Sequence, residues 1–396
     1  MASDGKWLFP RGAHALRFLH DTRIDPPMNI ADSTSAYEAW LHRQLPGEVV
    51  EADLSRKHAR MRSGRFVFLR ATYWRWAEVM PALLPELATA PSVLAVGDVH
   101  VENFGTWRDA DGRLVWGLND FDEAFEMPYA FDLLRLAVSG FLGLADGGDP
   151  SLASLASICD SVLKGYAAGL ARPRPYVLDR DHTRMRARFV ATEDDRTAFW
   201  QKMEKNAAAA HDAVPERFRM ALDRALPEGA TAVQYWPRTA GVGSLGRPRW
   251  VASAQWQGGP VVREAKGVVT SGWAYARGLE QPPLRIDAIV RGRHRASDPW
   301  YRLDADGVLV RRLSPNNHKI EMDVLGRWIF EHDLLADMGR EVANTHLSDD
   351  GAAAAIAADL ARRGTRWLAD AAGIAVKSID ADFADWNRLR PAPPKR

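Results

Sequence analysis

Two acid-rich elbows, each placed directly after a short apolar run, constrain this chain most. The first is Gly97-Asp98-Val99-His100-Val101-Glu102-Asn103, which follows Val93-Leu94-Ala95-Val96. The second is Asn119-Asp120-Phe121-Asp122, which follows Leu114-Val115-Trp116-Gly117-Leu118. Short apolar runs bounded by turn residues predict buried strands. Asp98 and Asp120 should then leave the ends of neighbouring strands and converge on one site. A carboxylate to take a hydroxyl proton, plus an amide oxygen and a second carboxylate to hold a hard cation, is the set that phosphoryl transfer needs. That reaction leaves the protein little covalent work beyond positioning groups and neutralising charge.

The spacing sharpens this expectation. Asn103 follows Asp98 by five residues, and Asp120-Phe121-Asp122 follows seventeen residues later. Protein-kinase catalytic loops place a base Asp five residues before a metal-binding Asn, with a metal-binding Asp-Phe-Gly further on. The opening Gly97-Asp98-Val99-His100 resembles aminoglycoside and choline kinases more closely than protein kinases. The resemblance assigns Asp98 as base and Asn103 and Asp120 as ligands of Mg²⁺, with Asp122 in support. His100 either shapes the loop or meets substrate. It also extends to Pro128-Tyr129-Ala130-Phe131-Asp132, where Asp132 would cap and anchor a helix behind the catalytic loop.

A second motif lies downstream. Gly241-Val242-Gly243-Ser244-Leu245-Gly246 stands between strand-like Val233–Trp236 and Arg249–Ala252. A strand after the glycines, rather than a helix, separates it from a dinucleotide fingerprint. Glycines at 241, 243 and 246, with Ser244, would bring backbone N–H groups to phosphates. Gly258-Gly259 reads as a hairpin turn. Lys266 then falls where a kinase keeps its phosphate-pairing lysine. Glu264 and Glu280, the latter on a helical-looking stretch from Ser271, compete as its ion-pair partner. Arg247 and Arg249 either touch phosphates or lie exposed on the hairpin.

In ordinary kinases the glycine loop precedes the catalytic Asp; here it follows by more than a hundred residues. A circularly permuted, protein-kinase-like two-lobe α+β fold accounts for this order, because domain termini commonly lie close together at the surface. Phe68–Thr72, Gly97–Gly105, Asn119–Arg135, Gly241–Arg249 and Arg311-Arg312-Leu313 through Lys319 resemble the motifs of an uncharacterised bacterial family, a domain of unknown function grouped with kinase-like folds. Ala71 departs from that family's usual Gly. The expected organisation is an N-terminal segment or lid at 1–59, a helical catalytic lobe at 60–230, a sheet-rich nucleotide lobe at 231–320, and C-terminal helices at 321–396. Leu313-Ser314-Pro315 would lie near the hinge where adenine binds.

The expected activity is Mg·ATP-dependent phosphoryl transfer to an unidentified hydroxyl. A nucleotide-binding pseudokinase, an AMP transferase and a metal-dependent hydrolase are the alternatives. A net charge of +1 gives no nucleic-acid or membrane signal. Without a secretory leader or an apolar run of about 18 residues, a cytoplasmic location is expected. The single cysteine, Cys159, lies in an apolar run and reads as a buried, inert thiol. Helices are expected over 35–44, 66–84, 131–144, 152–170, 324–345 and 351–371. The basic run 52–64 reads equally as a lid or a solvated helix, and 285–290 as a strand. Oligomeric state is not written in the pattern.

Overall fold

The computed structural model describes residues 28–147, 154–208, 213–304, 306–319, 333–348 and 351–389. It is a mixed α+β protein. Helices α1 (Ile30–Gln44), α2 (Glu51–Arg60), α3 (Arg65–Ala71), α4 (Tyr73–Leu83) and α5 (Pro85–Ala88) open the described chain. The single helix expected over 66–84 is two, broken at Thr72. Thr72 leaves helical geometry and turns its hydroxyl back to the Phe68 carbonyl at 2.8 Å. Pro85 starts α5 rather than only stopping a helix, a position suited to its missing N–H.

Strands β1 (Ser92–Ala95), β2 (Phe104–Arg108), β3 (Leu114–Leu118) and β4 (Phe125–Pro128) follow. The strands that carry the two acidic elbows are not neighbours. β1 pairs with β4, whereas β3 pairs with β2 and with the short β5 (Tyr176–Val177). The elbows are joined instead by one backbone bond, from Asn119 N–H to the Asn103 carbonyl at 3.0 Å.

Helix α6 (Tyr129–Asp146) runs behind them, and 15 of its 18 residues are buried. A helix apolar on every side belongs in a core. Its two buried charges, Asp132 and Arg135, must therefore find partners. Helix α7 (Leu155–Ala171) carries Cys159, buried as expected, its thiol pushed up to about 12 by desolvation. Helices α8 (Thr183–Phe189), α9 (Glu193–Ala208) and α10 (Glu216–Ala225) lead to the next sheet.

That sheet is five-stranded and antiparallel. It is built from β6 (Thr231–Pro237), β7 (Arg249–Trp256), β8 (Gly259–Gly267), β9 (Arg302–Leu303) and β10 (Val308–Leu313), in the order β6-β7-β8-β10-β9. Side chains alternate between its faces. Ala252, Ala265, Val308 and Val310 pack on Phe218 and Leu222 of α10. The other face carries Arg249, Glu264, Lys266 and Arg311. Between β8 and β9 lie two short helices, α11 (Gly272–Tyr275) and α12 (Ile286–Val290). The strand expected at 285–290 is thus a helical turn. Its buried residues, Ile286, Ile289 and Val290, fall at helical spacing.

The C-terminal helices are α13 (Leu334–His346), α14 (Ala352–Arg362) and α15 (Trp367–Arg388). The single helix expected over 351–371 is therefore divided between α14 and α15, and the start of the one expected over 324–345 lies outside the described residues. α13 crosses α7 with the backbones in contact: a Cβ on Gly339 would stand 2.2 Å from the Val162 carbonyl oxygen. The large core joins α3, α4, α6, α7, α13 and α15. Among the described residues no helix is long and apolar enough to cross a membrane.

Candidate functional site

The first elbow is held from behind by α6. Gly97 takes φ +81°. The carboxylate of Asp132 accepts the backbone N–H groups of Val96 at 2.7 Å and Gly97 at 3.0 Å. His346 Nε2 stands 3.0 Å from the same carboxylate, and its Nδ1 is 2.9 Å from the Tyr166 hydroxyl. Asp132 therefore ties the elbow to the helix bundle and does not cap its own helix.

Arg135, one turn on, fixes Asp98. Its Nε and Nη2 donate to Asp98 Oδ1 at 2.9 and 2.5 Å, and Nη2 also reaches the Leu69 carbonyl at 2.8 Å. The guanidinium lies over the Tyr73 and Trp76 rings. Burial raises Asp98 to about 6, against the opposing pull of Arg135. His100 caps the short turn Val101–Asn103, its Nδ1 accepting Glu102 N–H at 3.2 Å. Burial, then Arg70 and Arg135, holds it neutral, well below the usual imidazole range. Through that bond His100 shapes the loop, and it also lines the polar cavity. Asn103 Nδ2 donates to the Asp98 carbonyl at 2.5 Å. This leaves the amide oxygen for the cavity.

The second elbow carries more acid than expected. Lys266 Nζ contacts Asp122 and lies 3.8 Å from Asp120 Oδ1. Asp122 Oδ1 is buried with no hydrogen-bond partner. Burial alone would raise Asp120, but Lys266, Lys319, Arg311 and Arg249 together hold it below the ordinary carboxylate range. Glu123 accepts Arg247 Nη2 at 2.7 Å and Gly272 N–H at 2.5 Å.

The glycine loop, between β6 and β7, closes over this pair of elbows. A Cβ added to Gly243 would stand 3.3 Å from Asp98 Oδ2 and 3.0 Å from the Arg70 carbonyl oxygen. Ser244 Oγ accepts Arg249 Nη2 at 2.8 Å. Helix α2 grips the loop from outside at three points. Val50 N–H reaches the Gly246 carbonyl at 2.9 Å, Thr239 Oγ1 donates to Asp53 at 3.0 Å, and Lys57 Nζ donates to the Gly243 carbonyl at 2.9 Å. The basic run is therefore a helix with one buried lysine turned inward. Burial, then Arg247, lowers Lys57 to about 8.

Neither glutamate expected beside Lys266 pairs with it. Glu264 accepts Arg249 at 2.7 Å and Arg311 at 2.6 Å, and also meets Arg238. Burial would raise it, but the three arginines hold it well below the usual range. Glu280 is exposed and lies outside the site, because α11 ends at Tyr275 and Gly278 turns at φ +61°. Arg247 and Arg249 are buried in ion pairs, not exposed on a hairpin.

Asp98, His100, Asn103, Asp120, Asp122, Gly241, Gly243 and Ser244 all line one polar cavity of about 80 Å³. Lys266 reaches its acids, and Gly246 sits just behind, packed on Leu54. Sequence reasoning gave no role to Arg70, Glu123 or Lys319, which share the lining. Arg135 was missed as well, although an arginine inside an apolar helix signals a buried acid partner. An adjoining cavity of about 420 Å³ has mostly apolar walls, from Trp107, Phe121, Phe199, Tyr301, Leu313 and Pro315, with Lys202, Arg238, Arg295, Arg311 and Arg312 also on its lining. Asn119 and Lys319 reach it too. Among the described residues no cluster of three or more His, Cys, Asp or Glu is placed to hold a metal. A cation here would rely on amide and carboxylate oxygens from both elbows.

Fold and site together define a mixed α+β protein whose acidic elbows are roofed by a glycine loop. The family described as "Uncharacterized protein conserved in bacteria (DUF2252)" matches residues 49–225 and 178–392. The chain belongs to that family. No curated protein and no solved structure matches it.

Proposed function

We propose that the chain is an ATP- and Mg²⁺-dependent phosphotransferase acting on a hydroxyl acceptor. The observation that carries this reading is the meeting of two motifs more than a hundred residues apart: Gly243 lies against Asp98, and Lys266 against Asp120 and Asp122. The β6–β7 hairpin with a glycine turn, followed by a lysine on the third strand, is the order of a kinase nucleotide lobe. The reading therefore includes a permuted two-lobe, kinase-like fold, with 231–320 as the small lobe and 60–230 plus the C-terminal helices as the large one.

Within it, Asp98 takes the acceptor proton. Arg135 occupies Oδ1, so Oδ2 is the atom offered to the cavity, and a carboxyl titrating near 6 is a competent base around neutrality. The residues fit a hard cation: Asn103 offers its amide oxygen, Asp120 stays ionised, and the partnerless Oδ1 of Asp122 supplies further charge. Bound magnesium would neutralise developing phosphate charge. The large apolar cavity, bounded by Leu313–Pro315, suits the nucleoside.

Calorimetric titration of ATP, with and without Mg²⁺, tests this on wild type, Asp120→Ala and Lys266→Ala. Magnesium-dependent binding weakened in both variants is expected. Absence of binding to wild type at millimolar ATP would sink the proposal.

A further inference from the structure

Four cations bear on Asp120: Lys266, Lys319, Arg311 and Arg249. Three have carboxylates of their own. Lys266 meets Asp122, while Arg249 and Arg311 meet Glu264. Lys319 has Asp120 as its main favourable charge and shares it with the other three. With Arg311, Arg70 and Lys266 opposing its charge, a half-buried Lys319 is favoured further by any anion that joins the cluster.

The position of Lys319 matters as much as its charge. It ends the described segment after β10 and lines both the polar and the apolar cavity. Its base is anchored to β2. Thr106 N–H donates to the His318 carbonyl at 2.9 Å, and His318 N–H donates to Thr106 Oγ1 at 3.2 Å. A Cβ on Gly105 would stand 3.0 Å from Lys319 Cγ, so the side chain lies directly over the strand. The ammonium is thus delivered from a fixed point to the place where the two cavities meet. Any ligand spanning them has to pass it. A compact point charge with three rotatable donors suits phosphate oxygens.

We propose that Lys319 is a second phosphate-binding cation, sharing Asp120 with Lys266, and that it holds a nucleotide's polyphosphate where the apolar cavity opens into the acidic one. The inference rests on the phosphotransferase reading and adds a residue that the sequence motifs left without a role. Lys266 would hold the phosphates from the sheet, and Lys319 from the segment that leaves it.

The test is calorimetric titration of full-length wild type, Lys319→Met and Lys319→Arg with Mg·ATP, Mg·ADP and adenosine, with melting curves to establish folding. Lys319→Met should weaken ATP and ADP about tenfold or more and leave adenosine unchanged, and Lys319→Arg should recover most of the loss. Wild-type ATP affinity retained in Lys319→Met would overturn the inference while leaving the phosphotransferase reading intact. An equal loss for all three ligands would also overturn it, since the lysine would then only support the cavity wall. Wild type binding none of the three would remove the reading beneath it.

Discussion

Replacing Arg135 by Met isolates what holds Asp98 in place. Arg135 is fully buried, gives two bonds to Asp98 Oδ1, and stacks on two rings. Met keeps most of the stem but removes the counter-charge. Breaking a buried pair from one side costs about 3–5 kcal/mol, because the remaining charge stays desolvated. That is a large share of a total stability of about 5–15 kcal/mol. The source of the cost is the orphaned carboxylate, so neutralising it should return part of the loss. Urea unfolding of wild type, Arg135→Met, Asp98→Asn and the double variant measures the coupling. The double variant is expected to be less destabilised than the sum of the singles by about 1.5–3 kcal/mol, the net worth of a hydrogen bond to a charged group.

The pH dependence follows from the sign of the shift. Asp98 titrates near 6 in the folded chain, above its usual value, because burial disfavours the charge. Its ionised form therefore costs stability above about pH 6, and the cost is relieved as pH falls toward the unfolded value. Without Arg135 the carboxyl loses the influence that lowers it. The deficit of Arg135→Met should therefore be greatest at and above neutrality and shrink on acidification. Strict additivity, together with a pH-independent deficit, would refute the account.

Two further outcomes are expected. Asp98→Asn should reduce turnover by about 10²–10⁴ while sparing ATP binding, and wild-type kcat/KM should fall below about pH 6 as Asp98 gains its proton; turnover retained in the variant would remove Asp98 from the base role. Gly97→Ala should destabilise by about 1–3 kcal/mol or more, because φ is +81° and the new Cβ would stand 2.3 Å from the Glu123 carbonyl oxygen; an unchanged melting temperature would contradict this.

The elements that proved legible were those with local signals. A hairpin turn at Gly258, the strand Leu114–Leu118 and the apolar helix behind the first elbow are each set by residues a few positions apart, although the turn falls on Gln257-Gly258, one residue before the expected Gly258-Gly259, and Gly259 already pairs with Trp256. Partnerships were not legible. Lys266 and Asp122 lie far apart in sequence, so nothing near Lys266 ruled out Glu264 or Glu280. Glu264 alternates onto the same sheet face as Lys266, but three arginines claim it, two of them from neighbouring strands. Ile286–Val290 is short enough to satisfy either period, and burial decided it. Lys57 looked like one charge among many because only the fold shows which side of α2 faces the glycine loop.

Helix α2 and its three bonds to the glycine loop have a kinetic consequence. Loops that surround ligands are commonly among the least stable parts of a fold. Each freely rotating group ordered on binding then subtracts about 0.5–1.5 kcal/mol from affinity. Here Val50, Asp53 and Lys57 order the loop during folding, before any ligand arrives. An incoming molecule meets a roof already set, so association loses little entropy there. The same grip resists lifting, so the pace of exchange would follow how readily α2 lets go.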